Sequence, residues 1–159
     1  MISSISVNKS YAFENPLTHP ATTLDHFTAL VVSADLESRR AVTKILDALS
    51  IQTTSCSTLA QAQEALSRQP LNLIFCDERL PDGAYTDLLE VNHTRTIAPP
   101  LVVLTRTGEW ELYMDATRHG AFDVIRSPWC PTNIELSVIR ALKEEKQILP
   151  ACRSSSAAG

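Results

Sequence analysis

An aspartate that closes an apolar run stands where a folded chain can use it, and Asp77 is such a residue. Leu71-Asn72-Leu73-Ile74-Phe75-Cys76 leads into it, and Pro81-Asp82-Gly83 turns the chain soon afterwards. An apolar run without alternation reads as a strand buried on both faces, as in parallel sheets. A carboxylate at the carboxyl end of such a strand lies where open α/β sheets bind ligands. It either joins a site there or caps the turn by accepting from the amides of Arg79 or Leu80. Its neighbours decide between the two. Three other apolar runs also end in polar residues: Phe27 to Val32 before Ser33-Ala34-Asp35, Leu101 to Leu104 before Thr105-Arg106, and Phe122 to Ile125 before Arg126-Ser127-Pro128. Strands sharing one doubly wound sheet bring those ends to a single edge.

Helical segments stand between the strands. Leu36 to Leu49 carries Ala41, Ile45, Leu46 and Leu49 at helical spacing, and Leu59 to Arg68 carries Leu59, Ala62 and Leu66, with Ser57 a plausible N-cap. Ile51 to Cys56 is short and Thr-rich, hence strand-like. Tyr85 to Val91 and Glu109 to Arg118 read as helices, the second closed by Gly120. Pro131 opens a last helix to about Gln147, with Ile134, Val138, Ile139 and Leu142 on one side. Five strands alternating with five helices imply right-handed crossovers and a parallel sheet covered on both faces. The expected organisation is a flexible arm over residues 1–25, one domain over 26–147 and a disordered tail over 148–159.

The chain of 159 residues has 44% hydrophobic residues, 20% charged residues and a net charge of -4. That is an ordinary globular composition, and it gives no support to nucleic-acid binding. No apolar run reaches the roughly 18 residues that a membrane span requires. The start of the chain lacks a signal-peptide pattern. Cys56, Cys76, Cys130 and Cys152 lie far apart without a C-x-x-C pair, and the four histidines do not cluster with them, which argues against zinc. A reduced, cytoplasmic protein is the expectation.

The turn Asp77 to Gly83, the apolar strand ending in Thr105, and Gly120-Ala121-Phe122-Asp123-Val124-Ile125 running on to Pro128 resemble, in order and spacing, the receiver domains of two-component response regulators. The resemblance spans about Phe27 to Lys146. It implies a flavodoxin-like three-layer fold and a stand-alone receiver that acts through protein contacts rather than as an enzyme. Its partners would be a histidine kinase or phosphotransfer protein and a downstream protein, with a homodimer through the face of the fourth helix, fifth strand and fifth helix as a further option. By the same resemblance Asp77 is the phosphoacceptor, Thr105 the switch hydroxyl and Pro128 the cis-proline. Magnesium would be held by Asp77, by the backbone carbonyl of Arg79 and, as a substitute ligand, by Asp35.

The chain departs from the family at four places. Ser33 and Ala34 occupy the positions of the acidic pair, Ser127 that of the lysine, and Val124 that of the aromatic switch. Losing a charge-assisted hydrogen bond of ~1.5–3 kcal/mol weakens the phosphorylated state, and losing both acids weakens magnesium binding. Arg106 is the better candidate to replace the lysine, since strand alternation aims Arg126 away. The rival expectation is a pseudo-receiver, the same fold kept as a docking module that takes no phosphate. Trp110, Tyr113 and Met114 share a helical stripe that reads first as core and second as partner surface. Tyr85 stands where the family commonly has glycine.

Overall fold

The computed structural model describes residues 26–158, with side chains as far as residue 145. The arm expected over residues 1–25 lies outside the described residues. The elements follow as β1 (Thr28–Val32), α1 (Leu36–Ala48), β2 (Gln52–Cys56), α2 (Leu59–Arg68), β3 (Leu73–Asp77), α3 (Tyr85–His93), β4 (Leu101–Thr105), α4 (Trp110–Arg118), β5 (Asp123–Arg126) and α5 (Pro131–Ala158). A small antiparallel ladder between Arg79–Leu80 and Gly83–Ala84 folds the chain between β3 and α3.

The sheet runs β2-β1-β3-β4-β5, parallel throughout. Strand alternation splits its core in two. Leu73 and Phe75 of β3, with Val102 and Leu104 of β4, pack against Val42 and Leu46 of α1 and Ile134 and Val138 of α5. Ile74 and Cys76, with Leu101 and Val103, face Leu59, Ala62 and Leu66 of α2, Leu88 and Leu89 of α3, and Ala116 of α4. Period two in the strands and period 3.6 in the helices let this three-layer arrangement bury both faces of the sheet against helix stripes. The doubly wound fold expected from the sequence is the fold observed.

Three local expectations are corrected. The side chain capping α2 is that of Thr58, which accepts from the Gln61 amide at 3.2 Å. Ser57, one residue earlier, instead meets the Gln61 side chain with its amide and hydroxyl. The last helix continues to Ala158, past Pro150, rather than stopping near Gln147. The Trp110 stripe is not core: Trp110 is 67% exposed and Tyr113 43%. The two rings stack on each other at 5.6 Å instead.

Candidate functional site

The sheet order places the ends of β1, β3 and β4 side by side, and the reach of their side chains builds the site. β1 ends before Ser33, which is wholly buried, and its Oγ donates to Asp77 Oδ2 at 2.7 Å. Asp77 itself is half-buried at the end of β3. Burial pushes its carboxyl above the usual carboxylate range, against the opposing pull of the Ser33 hydrogen bond and of the Arg106 charge. Ala34, beside Ser33, points into solvent.

Asp35 does not turn toward Asp77. Its Oδ2 accepts from the Ser38 amide at 2.9 Å, capping α1, and from Arg106 Nη2 at 2.7 Å. One residue of offset is sufficient for this outcome, because an aspartate just before a helix meets free amides there. The Ser38 hydrogen bonds hold its carboxyl below the usual range, with Arg106 adding to the effect. Arg106 also donates to Ser38 Oγ at 3.0 Å. It therefore brings positive charge toward Asp77 while its donors are engaged on α1. Arg126 is exposed, and its side chain lies across Gly108, where an added Cβ would come within 2.2 Å of Arg126 Cδ.

Thr105 is buried at the end of β4, and its hydroxyl donates to Glu78 Oε2 at 3.1 Å and accepts from the Thr107 amide at 3.2 Å. Ser127 follows β5 with its amide bonded to the Thr105 carbonyl at 2.8 Å, and the Ser127–Pro128 bond is cis. Between these ends opens a cleft of about 180 Å³ bordered by Asp77, Arg79, Thr105, Arg106 and Trp129. Glu78 is the neighbour that sequence reasoning overlooked. Its position directly after Asp77 was the available signal.

The donor set does not suit a magnesium ion. Mg²⁺ takes near-octahedral oxygen ligands at short distance, keeping several waters and one or two carboxylates. Asp77 holds a hydroxyl, Asp35 holds an amide and a guanidinium, and Ser33 stands where a second acid would be needed. Among the described residues, no three His, Cys, Asp or Glu side chains gather as metal donors.

A five-stranded parallel sheet with an aspartate at the end of its middle strand, a hydroxyl at the end of the next and a cis-proline just after the last defines an aspartate-centred doubly wound α/β module. Residues 29–139 match the response regulator receiver domain, and the chain belongs to that family. Over 100 residues it is 31% identical to the response regulator protein PilR of Pseudomonas aeruginosa, covering 63% of this chain and 22% of PilR. Over 103 residues it is 28% identical to the regulatory protein LuxO of Vibrio cholerae, covering 65% of this chain and 23% of LuxO. The chain thus spans about a quarter of the length of the curated relatives it matches. Its fold matches the signal receiver domain of a Luxo repressor protein from Vibrio parahaemolyticus with a TM-score of 0.72 at 21% identity, covering 78% of this chain and 95% of that one. It also matches the beryllofluoride-activated NtrC4 receiver domain dimer, with a TM-score of 0.69 at 20% identity, covering 74% and 97%. Among the described residues no helix is long and apolar enough to cross a membrane.

Proposed function

We propose that this receiver serves two-component or phosphorelay signalling as a docking module whose contacts do not depend on phosphate at Asp77. The observation that carries this reading is the Ser33 hydroxyl on Asp77 at 2.7 Å. A neutral donor occupies the place from which an acid would help hold the metal, while Asp35 is turned away to α1 and Arg106. An acyl phosphate adds roughly two negative charges at Asp77, and the nearby Arg106 guanidinium that could offset them is held on Asp35 and Ser38. The module acts by contact rather than by turnover. Its contact surface includes the face of α4, β5 and α5, where the stacked Trp110 and Tyr113 offer exposed aromatic area of the kind that anchors interfaces. A cytoplasmic setting and a kinase, phosphotransfer protein or second copy as partner belong to the same reading.

One observation favours the rival, in which Asp77 accepts a phosphoryl group. Asp77, Thr105 and Arg106 border one open cleft, so the acceptor is reachable and has a hydroxyl and a guanidinium nearby. Two measurements separate the readings. Titration with magnesium is expected to give no binding in the millimolar range. Incubation with a small acyl phosphate and magnesium, followed by intact-mass spectrometry, is expected to leave Asp77 unmodified. A phosphoryl adduct on Asp77 under those conditions would establish the rival.

A further inference from the structure

Tyr85 has no part in the chemistry described so far, yet it joins two regions that the rest of the fold keeps apart. It follows the small ladder and begins α3, and its amide donates to the Glu78 carbonyl at 3.3 Å. Glu78 is the residue after Asp77, and its carboxylate holds the Thr105 hydroxyl. From this backbone anchor the Tyr85 ring enters the core at 3% exposure, in the cluster that contains Ala116 of α4 and against which Leu112 and Val124 pack. Its hydroxyl then donates to Asp115 Oδ2 at 2.8 Å, a residue 30 positions further along the chain.

Helix α4 needs such an anchor. Ala116 is the one buried residue among its nine, and no side chain caps its N-terminus. Asp115 also organises the end of the helix, since its carbonyl accepts from the His119 amide at 3.0 Å and lies 2.9 Å from His119 Nδ1. The His119 ring meets the Tyr85 ring edge-on at 6.5 Å. At β5 the side chain is only a valine, so the large aromatic in this layer comes from α3.

We propose that the Tyr85–Asp115 hydrogen bond clamps α4 to the loop that starts at Glu78, directly after Asp77, holding the exposed Trp110–Tyr113 pair in one position. A displacement of the loop then reaches α4 through Tyr85 and not through an aromatic on β5. The clamp rests on the docking reading only for its use in signalling, because α4 carries part of the proposed contact face.

The test is hydrogen–deuterium exchange on the whole chain, followed by mass spectrometry. Tyr85→Phe removes the hydroxyl and keeps the ring. Amides of α4 are expected to exchange about fivefold faster, the equilibrium equivalent of one ordinary net hydrogen bond, while those of α1 and β3 stay as they were. Asp115→Ala should match it, and the double variant should exchange no faster than either single one. Unchanged α4 exchange, an equal acceleration in α1 and β3, or effects that multiply in the double variant would each overturn the clamp. Since no metal, phosphodonor or partner is present, the result stands apart from the magnesium and mass-spectrometry outcomes.

Discussion

At the scale of single residues, the state of Asp77 depends on its surroundings more than on its type. Burial raises its carboxyl pKa, and Asp35 pushes in the same direction, while the Ser33 hydroxyl and the Arg106 charge oppose them. A folded-state pKa above the unfolded value means that the folded chain binds the proton more tightly. Stability is therefore lost as pH rises from about the ordinary carboxylate value of 3.8 through the folded pKa, and it stays lost at neutral pH. Asp77→Asn keeps an oxygen to accept from Ser33 and removes the charge. Thermal unfolding at pH 7 should show the variant more stable than the native chain, with the difference closing in acid below the ordinary carboxylate range. A less stable variant at pH 7 would mean that Arg106 and Ser33 outweigh burial. Arg106 is held on Asp35 in an exposed pair, and such pairs contribute little.

Among the elements, α4 and its neighbours show both what the residues announce and what they conceal. Gly120 was expected to close the helix, and it does so with φ +91, the Ala121 amide bonding back to the Ala116 carbonyl at 2.9 Å and the Gly120 amide to Thr117 at 3.1 Å. Gly120→Ala is expected to cost about 1–2 kcal/mol, because an added Cβ is strained in that backbone region. The new Cβ would also approach His93 Cε1 at 3.1 Å. Urea unfolding measures the cost, and an unchanged midpoint would mean that the helix end relaxes. In α2 the sequence was equally direct, since Leu59, Ala62 and Leu66 are the residues it buries. In α1 periodicity pointed to Ala41, Ile45, Leu46 and Leu49, whereas the fully buried stripe is Ser38, Val42 and Leu46, with Ile45 and Leu49 half-buried against the same core. Long-range polar pairings could not be read at all. Asp82 accepts from the amides of both Leu59 and Ala60, at 2.7 and 2.9 Å, fastening the loop after β3 to the start of α2. Nothing in a local pattern signals a partner over 20 positions away, and the same holds for Tyr85 with Asp115 and for Arg106 with Asp35.

For the whole molecule, the sheet determines which changes matter, because it separates two cores that meet only through its strands. Phe75 lies wholly buried on the face of α1 and α5, two residues before Asp77. Its truncation to alanine removes a large side chain from close-packed surroundings and leaves a cavity, at an expected cost of about 3–5 kcal/mol. A domain of this size has roughly 5–15 kcal/mol of stability in total, so the variant should lose a large part of it. Trp110 is a larger side chain on the outside of α4, stacked on another exposed ring. Trp110→Ala should change stability by only about 0.5 kcal/mol, as surface substitutions do. Urea unfolding of both variants beside the native chain tests the contrast. A Trp110 variant as destabilised as the Phe75 variant would mean that the aromatic pair serves the fold. The docking reading requires the opposite result, since an aromatic pair that the fold does not need is available for a partner to cover.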